Sequence, residues 1–153
     1  MGNLYDWLLF VHVLAAMVWL GGLVTLTAFG MRARHSGDRD AVARFVGNLR
    51  VIGPAVLAPS ALLVVAFGIW MVVKSPAWDF GQTWISFGLA LFIAAVLIGA
   101  VYLSRTGLAA ERAVKAGDHD EAARQLARWS WGIRLIVLLL VIATWDMVIK
   151  PGV

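Results

Sequence analysis

His12 is the residue in this chain best suited to chemistry: an ionisable imidazole inside an apolar run that extends from Leu4 to Met31. A polar side chain in such a run is costly, so it faces the protein interior and is a functional candidate by default. An imidazole there can ligate a metal or a haem iron, or bond a neighbouring carbonyl as packing glue. His35 and His119 fall in polar turns and read as solvated residues. Ala16, Trp19 and Gly22 follow His12 at spacings of four, three and three, which puts a large ring and small residues on one helical stripe facing inward. Small residues permit close helix approach or leave room for a flat cofactor, with Trp19 as its wall.

Depth narrows the chemistry. Seven residues at ~1.5 Å each put His12 about 10 Å below Tyr5, at the end of the spans that carries the chain termini, the outer end. A b-type haem with its iron at this level would bring its propionates to the outer interface, where Lys74 and Lys150 supply cations. Both lysines also fit as ordinary snorkelling residues, and Asp146, one helical turn before Lys150, can pair with it. Met71 and Met147, near the outer ends of the second and fourth spans, are candidate second axial ligands, and each fits equally as a flexible gap-filler. A second protomer's histidine, or an open five-coordinate iron, are the alternatives. Copper is the rival metal, since His and Met suit Cu(I), although these Met residues are not clustered.

Other chemistries are excluded or lack support. There is no cysteine, which removes thiolate metal sites, disulfides and thiol redox. Asp6, Asp79 and Asp146 lie near the outer face and read as a solvated rim. No paired intramembrane carboxylates and no intramembrane Arg series are present, so proton pumps, voltage sensors and secondary transporters have little support.

The elements that must position these residues follow from composition. With 61% hydrophobic and 14% charged residues and a mean hydropathy of +0.84, 153 residues cannot cover their apolar surface with polar groups, and lipid must do so. Four stretches reach the ~20 residues a spanning helix needs: Leu4 to Met31, Val51 to Val73, Trp84 to Leu103 and Ile133 to Ile149. No alternating pattern supports a β-barrel, so the fold class is all-α, a polytopic membrane protein with a four-transmembrane-helix bundle. Pro54 and Pro59 predict a kink in the second span. The N-terminus lacks the basic region and cleavage site of a signal peptide, and Asp6 stands where a myristoylation pattern wants Ser or Thr.

Charge sets the orientation. Arg32, Arg34, Arg39, Arg44 and Arg50 surround the first turn, and Arg105, Arg112, Lys115, Arg124, Arg128 and Arg134 the second; only Lys74 and Lys150 remain at the other end. Cations in short loops stay cytoplasmic, which predicts a bacterial cytoplasmic (inner) membrane protein with both termini outside. The basic pI of about 10.1 thereby serves topology and anionic lipid, and nucleic acid is not a partner. Tyr5, Trp7, Trp70, Trp78, Trp84 and Trp145 mark the outer interface, Trp129 and Trp131 the inner one.

The two turns also resemble each other: Gly-Asp-Arg-Asp-Ala-Val-Ala-Arg at Gly37 to Arg44 and Gly-Asp-His-Asp-Glu-Ala-Ala-Arg at Gly117 to Arg124. In each, Gly ends one helix and Asp caps the next. Residues 1–153 read as a single transmembrane domain of two helical hairpins in parallel orientation, repeat 1 about 1–74 and repeat 2 about 82–153, the alternative being ordinary turn chemistry that arises twice on the same topology. Under this offset His12 aligns with Phe92 and Trp19 with Gly99, so any chemistry at His12 belongs to one half. Gly-rich faces also suit homo-oligomerisation or membership of a larger membrane complex.

The segment Phe10-Val-His12-Val-Leu-Ala-Ala-Met-Val-Trp19-Leu-Gly21-Gly22 resembles the His, Trp, Gly-Gly signature that opens the first helix of the copper-resistance protein D superfamily. The chain is similar over nearly its whole length to small uncharacterised four-helix members of that group. HemJ-type protoporphyrinogen oxidases are more distant kin. The resemblance implies a haem associated with His12; the Pro-Arg-Leu segment of the oxidases is missing after Gly22, so their activity is not implied. Three functions remain open: a haem b protein for electron transfer or haem-linked redox chemistry, a copper-handling protein, and a non-catalytic accessory subunit.

Overall fold

A computed structural model describes residues 4–152; the signal-peptide and myristoylation readings rest partly on residues 1–3, which lie outside them. Four rods, each long and apolar enough to cross a membrane, run up and down. The first is α1 (Leu4–His35). The second is α2 (Arg39–Ile52), a π-helical turn (Gly53–Leu57) and α3 (Ala58–Lys74). The third is α4 (Thr83–Leu97), a second π turn (Ile98–Leu103) and α5 (Ser104–Lys115), and the fourth is α6 (His119–Ile149). Among the described residues there is no strand.

The turns form as their residues dictate. At the second tip Gly117 takes φ +73°, and its N–H reaches Val114 O while Asp118 N–H reaches Ala113 O, satisfying two carbonyls left open at the end of α5. The Asp118 carboxylate then accepts from Glu121 N–H at 2.9 Å to start α6. At the first tip Gly37 takes φ +67° and the Asp38 carboxylate accepts from Asp40 N–H at 2.8 Å, but Ser36 Oγ, donating to Ala33 O, completes the closure. The same Gly-Asp pair thus closes two turns by different bonds.

The kink expected from Pro54 and Pro59 is a π turn. Neither proline has an N–H, so two consecutive turns lose their i→i−4 bonds and the backbone widens between them. Ser60 Oγ donates to Val56 O at 2.8 Å, occupying one carbonyl there. The third rod widens at Ile98–Leu103 with no proline; Ser104 Oγ on Gly99 O and Thr106 Oγ1 on Tyr102 O supply the extra donors.

The core runs between α1, α2, α4 and α6: Trp19, Leu23 and Leu26 meet Phe45, Ala95, Leu126, Trp129 and Ile133. Trp129 is therefore a core residue and not an interface marker. Gly30 and Phe45 pack against it, because a side chain at position 30 would collide with the Phe45 ring. Trp131, 70% exposed with the Arg134 guanidinium over its ring, keeps the interfacial role. Large apolar side chains such as Met17, Leu62, Val73 and Val148 lie exposed around the bundle, a surface suited to lipid.

Candidate functional site

His12 is half-buried and points at the second rod, where its Nδ1 lies 2.8 Å from Val64 O. A carbonyl only accepts, so Nδ1 carries the proton and, in the neutral ring, Nε2 keeps its lone pair. That carbonyl is reachable because of Gly68. Helical side chains lean toward the N-terminus, so residue i+4 normally shields carbonyl i. At position 68 the shield is absent, and a Cβ there would stand 3.2 Å from His12 Cε1. The contact α1 makes with α3 is the most extensive between elements of the first hairpin. Gly68 was not singled out in the sequence; its spacing of four from the bonded carbonyl becomes meaningful only once that carbonyl is known.

Of the other residues expected near a cofactor, Met71 lies on the same face of α3, one turn beyond Gly68 toward the outer end, and is buried. Trp19 is buried in the core with its ring edge-on to Phe92 of α4, the centroids 5.5 Å apart. The space expected beside Gly22 is taken up by Leu57 of the π turn: a Cβ would meet Leu57 Cδ2 at 2.9 Å. Lys74 is exposed at the end of α3. Met147 and Lys150 belong to the interface of α6 with α4, where Met147 Cε fills the space above Gly88. The structure therefore gathers His12, Val64, Gly68 and Met71 on the α1/α3 pair and sends Met147 and Lys150 elsewhere.

Asp146 departs from its expected place as a solvated rim residue. Its side chain is 0% exposed, and neither carboxylate oxygen has a hydrogen-bond partner. Oδ2 would lie 3.2 Å from a Cβ at Gly88, so the carboxyl occupies the gap that glycine leaves. Nor does Lys150 pair with it. Lys150 caps α6 in the left-handed conformation, φ 49°, which turns its side chain off the helical i,i+4 path. Its ammonium instead sits 4.4 Å from the Trp78 ring centroid and 5.5 Å from that of Trp84. Trp78 Nε1 donates to Tyr5 Oη at 3.1 Å, while Trp84 Nε1 is buried without a partner. These contacts tie together the ends of α1 and α6, the start of α4 and the loop before it.

The chain contains no group of three or more His, Cys, Asp or Glu side chains placed to hold a metal, among the described residues.

No curated protein and no solved structure matches this sequence. A family model described as a predicted integral membrane protein, DUF2269, matches residues 6–151. Four apolar rods, a lipid-facing surface and a match over almost the entire chain agree, and the chain belongs to this DUF2269 family of integral membrane proteins.

Proposed function

We propose that this protein binds b-type haem through His12 Nε2, near the outer ends of α1 and α3, for electron transfer or haem-linked redox chemistry. One observation carries the reading: His12 Nδ1–H donates to Val64 O across the gap that Gly68 leaves. Histidines that ligate metals characteristically donate their other ring N–H to a carbonyl or carboxylate, which fixes the tautomer and raises the basicity of the ligating nitrogen. Met71, on the same face of α3, is the second-ligand candidate within this group, and Lys74 at the end of α3 is the nearer cation in sequence for the propionates. Bound haem would supply reversible one-electron chemistry; the protein's part is to hold the imidazole, exclude water and set the surrounding polarity. Kinship with the copper-resistance protein D superfamily belongs to the same proposal, as does the topology of tips in the cytoplasm and termini outside.

The test is the absorption spectrum of protein purified after haem-replete expression. A Soret band that His12→Ala abolishes supports the reading. No Soret band, or one unchanged in His12→Ala, overturns it. Stoichiometric copper lost in His12→Ala would assign the site to copper, and a cofactor-free protein co-purifying with a membrane partner would make it an accessory subunit.

A further inference from the structure

The two hairpins do not close alike at their tip ends. In the second, α5 lies along α6 with Thr106, Ala110 and Ala113 buried, and the π turn before it sets Tyr102 and Leu103 so close to Gly132 that a Cβ there would meet them at 2.7 Å. In the first, α2 is shared between α1 and the second hairpin: Arg50 pairs with Glu111 of α5 at 3.0 Å, and the Phe45 ring meets Trp129 of α6. A groove of about 400 Å³ is left between α1 and α2, with Phe29, Phe45 and Ile52 on its walls and Arg32, Arg44 and Asn48 along it. No acidic side chain lines it.

We propose that this groove is a binding site for an anionic glycerophospholipid, its phosphate between Arg32 and Arg44 and one acyl chain along the phenylalanines toward Ile52. The polarity gradient matches the upper part of the ligand: from Arg44 to Ile52 is eight residues, ~12 Å along the helix, which runs from headgroup depth to the upper acyl chain. Both arginines are exposed and carry charge of one sign. Among the described residues the acidic contact of this pair is Asp38 on Arg44, at 3.3 Å with both side chains at least half exposed, a weak pair that a phosphate can replace. A zwitterionic lipid fills the walls equally well but brings no net charge to the arginines.

Native mass spectrometry of the full chain, exposed to equal amounts of phosphatidylglycerol and phosphatidylcholine with identical acyl chains, tests this. The wild type should retain phosphatidylglycerol preferentially, and Arg32→Gln/Arg44→Gln should lower that retention on the order of tenfold. Arg34→Gln/Arg39→Gln removes the same charge from the same tip outside the groove and should leave it unchanged. Equal losses in the two double variants would mean a diffuse charge field and overturn the site, as would equal retention of both lipids. Displacement of the lipid by inorganic phosphate at matched concentration would reduce the groove to a phosphate site and overturn it too. Circular dichroism of the variants in detergent confirms that their helices persist, since all four arginines are exposed.

Discussion

The polar residues at the outer end fall into two kinds by their partners. His12 has one bond and one free nitrogen, and the bond depends on a residue without a side chain. On the proposed haem reading, Gly68→Ala should therefore tilt the imidazole and weaken haem retention roughly tenfold at unchanged helix content, as loss of an outer-shell partner does; retention equal to wild type would show that the Val64 bond is incidental. Asp146 is the opposite case, a carboxyl fully buried with no partner at all. Such a group costs free energy that an apolar residue of the same shape does not, so Asp146→Leu should raise the thermal midpoint in detergent, by about 1 to 3 kcal/mol of stability. A fall instead would mean that the carboxyl meets a ligand in the membrane. His12 was legible in the sequence because an imidazole stands out in hydrocarbon. The burial of Asp146 was not, because near a helix end a carboxyl in water and one packed against a glycine of a neighbouring helix have the same local sequence.

At the scale of elements, the four spans and both tips could be read directly, since length, hydropathy and Gly-Asp caps are local properties. The first π turn was half-legible: Pro54 and Pro59 announced a disruption but not its kind. The second was hidden, because Gly99, Ser104 and Thr106 are ordinary in a membrane helix. Glycines within the spans differ in the same non-local way. Gly132 is pressed by Tyr102 and Leu103, whereas Gly99 has only Ile136 Cδ1 at 3.8 Å. Gly132→Ala should cost about 1 to 3 kcal/mol by forcing the second π turn away from α6, while Gly99→Ala should be near neutral. Chemical unfolding of the two variants side by side checks this; equal costs would mean that helix propensity and not packing decides.

For the whole molecule, cysteine is absent, so one introduced thiol reports topology without background. A thiol at Gly37 or Gly117 should react with impermeant reagents only from the cytoplasmic side, and one at Asp79 only from the other. Reversed labelling would invert the assignment drawn from eleven arginines and lysines around the tips. Seen together, the rods also share a level. The first π turn begins after the 14 residues of α2, and the second ends before the 12 residues of α5, so both lie at one depth in the two neighbouring middle rods. A π turn holds one residue more than the α-helix it replaces while the flanking faces keep their directions. Dropping one residue from Gly53–Leu57 or Ile98–Leu103 should then be absorbed locally, whereas elsewhere in a span it would swing every later side chain by about 100°. Insertions and deletions within the family are accordingly expected to gather in these two turns, far apart along the chain and level in the bilayer.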